Sequence, residues 1–130
     1  MSNNSDKQAI HTPNAPAAIG PYSQAVRCGN LVFLSGQIPL DPASMEIVGD
    51  GIEEQTVQVL ENLRAVATEA GADLDAIVKL TIYLIDLSDF AIINDTMKRY
   101  FQAPYPARAT IQVSALPRGA AVEIEAILAL

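Results

Sequence analysis

The sequence predicts an α+β sandwich in which a mixed β-sheet carries two helices on one face. Two segments with apolar residues at helical spacing, set among short apolar runs in the order β-β-β-α-β-α-β-β, carry that expectation. Glycine- and proline-rich joints between the runs set their limits. At 130 residues and 50% hydrophobic content, the chain is one domain's worth of material with enough apolar side chains for a core.

The polar start is punctuated by Pro13 and Pro16, so residues 1 to about 12 read as a flexible tail and the stretch after them as extended. Ordered chain is expected from Gly20-Pro21-Tyr22. Ala25 to Arg27 and Leu31 to Leu34 form a hairpin about Gly29-Asn30, a pair that tolerates positive φ, and Ser35-Gly36-Gln37 closes the second strand. Asp41-Pro42-Ala43-Ser44 is a turn, and Met45 to Val48 a short third strand. Asp50 and Glu53 have capping-box spacing, and from Ile52 to Ala70 the residues Val59, Leu60, Leu63, Val66, Ala67 and Ala70 share a helical face that Gly71 ends. Ile77 to Ile85 is rich in β-branched residues and reads as a strand. Ser88 caps a second helix with Phe90, Ile93, Met97 and Phe101 on one face, stopped by Pro104 and Pro106. Ala109 to Val113 and Val122 to Leu130 are the last strands, joined through Leu116-Pro117-Arg118-Gly119.

One sheet face remains unaccounted for. Leu80, Ile82 and Leu84 fill one side of their strand, yet Tyr83 and Ile85 lie on the other; Ile127 and Ala129 oppose Val122, Ile124, Ala126, Leu128 and Leu130 in the same way. With no third helix to cover this face, a second copy of the chain is the economical cover, and a homo-oligomer with sheets at its centre is expected.

Two motifs carry chemistry. Pro106-Ala107-Arg108-Ala109-Thr110 sets a guanidinium on a proline-fixed bend, able to fork a carboxylate through two parallel hydrogen bonds. Val122-Glu123-Ile124-Glu125-Ala126 puts two acids in an apolar strand, where a carboxylate needs a partner or a task. Together they suggest a pocket for a small anionic metabolite.

Composition excludes more than it selects. A formal net charge of −7 repels phosphate backbones and anionic lipid, so neither nucleic acid nor a membrane surface is expected as partner. No apolar run reaches the roughly 18 residues of a membrane span, and the first residues lack the basic and apolar regions of a secretory leader. A soluble, cytoplasmic protein is expected. The single Cys28 cannot form an internal disulfide and reads as structural. His11 has no acid or serine signature nearby, one His and one Cys make no zinc cluster, and Gly49-Asp50-Gly51 lacks the other ligands of a calcium loop. No phosphate-cradling glycine motif is present, so neither metal nor cofactor is expected.

Four separated segments, Asn14 to Ala25, Leu34 to Pro39, Pro106 to Arg108 and Val122 to Ala126, resemble the signature segments of the RidA/YjgF/YER057c/UK114 family. The likeness covers roughly residues 12 to 130. It implies a chorismate-mutase-like fold assembled as a homotrimer with clefts between neighbouring subunits. It also implies cofactor-free hydrolysis of reactive 2-imino and enamino acids, such as 2-aminoacrylate, to 2-keto acids and ammonia. Position by position, the resemblance puts the carboxylate-binding arginine on Arg108, the pocket tyrosine on Tyr22, the pocket serine on Ser35, the water-associated glutamate on Glu123 and the pocket asparagine on Asn94. Thr110 stands where some members carry cysteine, which excludes thiol chemistry at that position.

In this reading Arg108 holds the substrate carboxylate, Tyr22 orients the side chain, Ser35 and Thr110 offer hydrogen bonds, and Glu123 holds the attacking water and moves its proton. Burial would raise the Glu123 pKa while a nearby Arg108 would lower it, and the two effects oppose. Each residue also has an ordinary role open to it: a surface cation, a packing aromatic, a turn serine, a polar helix residue, a solvated strand acid. Two other functions compete. The same pocket could sense a keto acid or amino acid without turnover, or the protein could act on RNA, which its acidity and its lack of an aromatic-basic stripe disfavour.

Overall fold

The computed structural model describes residues 7–130; residues 1–6 of the expected tail lie outside the described residues. Strands β1 (Lys7–Ile10), β2 (Ala25–Cys28) and β3 (Leu31–Gln37) precede helix α1 (Ile52–Glu69). Strand β4 (Ile77–Leu84), helix α2 (Phe90–Met97) and strands β5 (Ala107–Gln112) and β6 (Val122–Ala129) complete the chain. The six strands form one sheet in the order β1-β2-β3-β6-β4-β5. It is mixed: β4 and β5 run parallel, as their helical crossover requires, and the other pairs are antiparallel. Both helices lie on one face, giving the α+β sandwich that the sequence predicts.

The element string is the expected one, and β2 and β3 lie where the sequence puts them, but one of the first three strands is not the one expected. Lys7–Ile10, expected within the tail, pairs with β2 from Lys7↔Cys28 to Ile10↔Ala25. Beyond it, buried Gln24 accepts from the Thr12 amide at 2.7 Å and donates to the Pro16 carbonyl at 2.8 Å, tying this segment down. Met45 to Val48 is not a strand. Asp41 Oδ1 accepts from the amides of Ala43 and Ser44, closing a tight turn that leaves only one isolated bridge, Leu40↔Ile47. The cap of α1 is Gly51 rather than Asp50: extended Gly51 precedes the first turn, and its amide donates to Glu54 Oε1 at 3.2 Å. Ser88 likewise does not cap α2; a short 3₁₀ turn over Leu87–Asp89 intervenes, with Asp86 accepting from the Ser88 amide.

The core lies between the helices and the inner sheet face. Val59, Leu60, Leu63, Val66 and Ala67 of α1 meet Leu80, Ile82 and Leu84 of β4 and Val122, Ile124, Ala126 and Leu128 of β6, all buried. Buried polar side chains on α1 fix the loops. Gln55 accepts from the Ala121 amide at 2.9 Å, and Asn62 donates to the Leu40 carbonyl at 3.0 Å. The outer sheet face is uncovered: Phe33, Ile111 and Leu31 stay exposed there, beside half-buried Ile127 and Tyr83.

Candidate functional site

The six residues singled out from the sequence divide into two clusters within one chain. The first holds Tyr22, Ser35 and Glu123, which line a cavity of about 530 Å³ together with Ile19, Met45 and Arg118. The second holds Arg108 and Asn94 beside a separate hollow of about 360 Å³ walled by Met97, Lys98, Tyr105 and Pro106. Thr110 lines neither. It pairs with Ile82 on the helix side of the sheet, and its buried hydroxyl finds no hydrogen-bond partner.

Strand order and register produce this division. Glu123 lies opposite Tyr83 on β4, while Arg108 pairs with Leu80, on the face opposite to that of Glu123. Two strand spacings, about 10 Å, and the thickness of the sheet therefore separate the two side chains. A small 2-imino acid cannot touch both ends of that path within one chain.

In the first cluster, Glu123 owes its place to a missing side chain. A bulge in the β3·β6 pairing between Leu34 and Gln37 brings Gly36 under the glutamate. A Cβ on Gly36 would overlap Glu123 Oε2 and stand 3.0 Å from its Cδ. Partial burial raises the Glu123 pKa, and the neighbouring charge of Glu125 raises it further. Arg108 is too remote to offset this, so of the two opposed effects burial prevails within one chain. Glu125 is the acid with an ordinary role: exposed, it accepts from the Tyr83 hydroxyl at 3.3 Å. Ser35 is partly structural, its hydroxyl donating to the Ser23 carbonyl at 2.6 Å, so the oxygen retains only acceptor capacity toward a ligand. Tyr22 stands over the cavity mouth, 54% exposed, with its hydroxyl accepting from the Ile19 amide.

In the second cluster, Arg108 is held from three directions. Asn94 Oδ1 accepts from its Nη1 at 2.6 Å, the Met97 sulfur lies 3.7 Å from the same nitrogen, and the Phe90 ring centroid is 5.0 Å from the guanidinium carbon. No carboxylate pairs with it among the described residues, which leaves a preorganised fork open to an anion. Lys98, half-committed to Asp95 at 4.0 Å, adds positive charge at the rim.

Sequence reading did not single out Gly36, Met45 or Arg118. Gly36 and Arg118 stand in motifs quoted above, but their approach to the glutamate and the cavity follows from pairing and backbone geometry that no local pattern announces. Among the described residues no group of three or more His, Cys, Asp or Glu could hold a metal ion, and no helix is long and apolar enough to cross a membrane.

An α+β domain with an uncovered sheet face, an acid in one cavity and an unpaired guanidinium beside another has the features of a small-ligand protein. The chain belongs to the endoribonuclease L-PSP family, which it matches over residues 12–130. It is 56% identical to protein DfrA of Myxococcus xanthus, over 93% of this chain and 94% of that protein. It is 50% identical to the mouse (Mus musculus) 2-iminobutanoate/2-iminopropanoate deaminase, over 93% of this chain and 90% of the relative. Among solved structures, that of Escherichia coli TdcF with bound serine superimposes with a TM-score of 0.90 at 44% identity, covering 95% of this chain and 99% of TdcF.

Proposed function

We propose that this protein is a cofactor-free hydrolase of reactive 2-imino and enamino acids, 2-aminoacrylate among them, acting in the cytoplasm as a homotrimer with its sites between subunits. The observation that carries this reading is the division of the site. An unpaired, preorganised Arg108 and a glutamate of raised pKa cannot meet in one chain, and the uncovered sheet face offers the surface on which copies would meet. The deaminase relative supports the reaction class, and the serine held by TdcF supports a ligand of amino-acid size.

In the assembled site Arg108 of one subunit forks the substrate carboxylate, with Asn94 keeping the guanidinium plane in place. Tyr22 of the next subunit walls the side chain. Glu123 holds a water against the electrophilic iminium carbon and takes its proton; the water oxygen bonds to carbon, the C–N bond breaks, and both water hydrogens, one relayed by Glu123, leave with the NH2 nitrogen as ammonium. Ser35 serves as an acceptor at the margin; Thr110, whose hydroxyl is buried, takes no part. A pure sensor would need no acid held half-buried over a glycine, which favours turnover over sensing. RNA cleavage, the activity in the family's name, is disfavoured by a net charge of −7.

Mixing two inactive variants tests the reading. Arg108→Ala and Glu123→Gln should each abolish 2-keto acid and ammonia release from freshly generated imines. Dissociated and reassembled together in equal amounts, they should recover about a quarter of wild-type activity, because each interface draws both intact halves with that probability. Full activity in either single variant, or no recovery in an assembled mixture, overturns the shared site.

A further inference from the structure

The cavity containing Glu123 carries a second charged group that the deaminase reading leaves without a task. Arg118 is the one cation in the lining, and Glu123 the one acid. The two do not pair, and no other carboxylate pairs with Arg118 among the described residues.

The backbone is bent to put it there. Arg118 has φ 61° and Met45 φ 60°, the two non-glycine residues with left-handed backbone in the described chain. Both line this cavity, and Arg118 Nη2 donates to the Met45 carbonyl at 3.0 Å. Left-handed backbone is disfavoured for a residue with a Cβ, and such conformations gather where a side chain is held for use. One donor of the fork is committed to the carbonyl; Arg118 is exposed, and its other donors have no partner among the described residues. The cavity, at about 530 Å³, is generous for a three-carbon imino acid.

We propose that Arg118 is a specificity-determining residue that binds a second, side-chain carboxylate, so that the site takes 2-imino dicarboxylic acids in preference to monocarboxylic ones. This rests on the proposed hydrolysis, in which Arg108 already occupies the carboxylate next to the imine carbon. The distal acid then lies on the far side of the reacting carbon, where Arg118 is the available counter-charge. The reaction is unchanged: water adds to the iminium carbon, the C–N bond breaks, and nitrogen departs with both water hydrogens as ammonium, leaving a 2-keto diacid.

Arg118→Gly is the informative variant, because glycine adopts φ 61° without strain and the fold should hold its melting temperature. Imines are generated in situ by an amino-acid oxidase from glutamate and from 2-aminobutanoate. The ratio of kcat/KM for the diacid to that for the monoacid should fall about tenfold or more in Arg118→Gly, through KM, while the monoacid value stays unchanged. Arg118→Lys should retain part of the preference. An unchanged ratio, or an equal loss on both substrates, overturns the proposal. If the wild type turns over neither imine, the hydrolase reading fails separately, and calorimetry decides the subsite. Binding of 2-oxoglutarate tighter than 2-oxobutanoate, with the difference lost in Arg118→Gly, supports it; equal affinities refute it.

Discussion

Adding one methyl group under Glu123 separates the position of its carboxylate from its chemistry. In Gly36→Ala the new Cβ would overlap Oε2 and crowd Cδ at 3.0 Å and Cγ at 3.2 Å. Carbon atoms rest at about 3.5–4.0 Å, so the carboxylate must retreat by roughly 1 Å. It is the free end of a flexible side chain, and Gly36 lies outside the positive-φ glycines, so the backbone accepts alanine. Stability should therefore change by less than about 1 kcal/mol. Activity should not be spared: a displacement near 1 Å in a positioned catalytic group costs about 10²-fold in rate. The pushed-out carboxylate also regains water, and the acid limb of kcat/KM should move to lower pH as its pKa relaxes. The assay is keto-acid release across pH, with thermal melting in parallel. The double variant Gly36→Ala, Glu123→Gln should be no slower than Glu123→Gln alone, since both changes act through one group. A single variant with wild-type kcat/KM would refute the reasoning, because the close approach over Gly36 would then serve no reaction.

Two further outcomes follow from the same geometry. Burial raises the folded-state pKa of Glu123, so its contribution to stability is complete below the unfolded-state pKa and is lost as pH rises through the folded one; Glu123→Gln should melt higher than wild type at pH 7 and lose that advantage toward pH 4, and equal melting temperatures at both values would contradict the burial. Asn94→Ala removes the 2.6 Å partner of Arg108 and should raise KM about tenfold with little effect on kcat, since the guanidinium must then be ordered by the substrate itself; an unchanged KM would leave Asn94 an ordinary polar helix residue.

Where local chemistry decides structure, the fold was legible. The apolar periodicity of α1, the alternation of β4 and β6 and the Gly29-Asn30 turn needed no partner to be read. Lys7–Ile10 could not be read, because Lys-Gln-Ala-Ile has neither alternation nor β-branched weight at its centre and becomes a strand only by closing the edge of β2. Met45 to Val48 failed in reverse: its composition suits a strand, but the Asp41 turn spends its hydrogen bonds locally. The residues of the candidate site could be named one by one from the sequence, but not their arrangement. Whether Arg108 meets Glu123 depends on β4 entering between β5 and β6 and on the register that turns Arg108 to the helix side. Both are long-range facts. Arg118 shows the same limit at smaller scale, since Pro117-Arg118-Gly119 reads as a turn and nothing in it announces a left-handed arginine at the wall of a cavity.

Separating the two charges has a consequence for the base itself. In a lone chain Glu123 is pushed up by burial and by Glu125, and among the described residues it makes no ion pair. In the proposed trimer a neighbour's Arg108 enters the cleft and draws that pKa part of the way back, still above its unfolded-state value, so the free enzyme holds a carboxylate less basic than burial alone would make it. A bound substrate brings its own carboxylate onto Arg108 and neutralises it. The pull on Glu123 then fades, and the acid returns toward its raised value when a water must be deprotonated. The substrate's charge thereby strengthens the base that attacks it. Because kcat/KM reports the free enzyme and kcat the substrate complex, the acid limb of kcat should lie at higher pH than that of kcat/KM. Neutralising Arg108 by substitution should lift the limb of any residual kcat/KM toward the kcat value. Coincident limbs, or a kcat limb at lower pH, would place Arg108 too far from Glu123 to share a substrate, and the site between subunits would have to be abandoned with it.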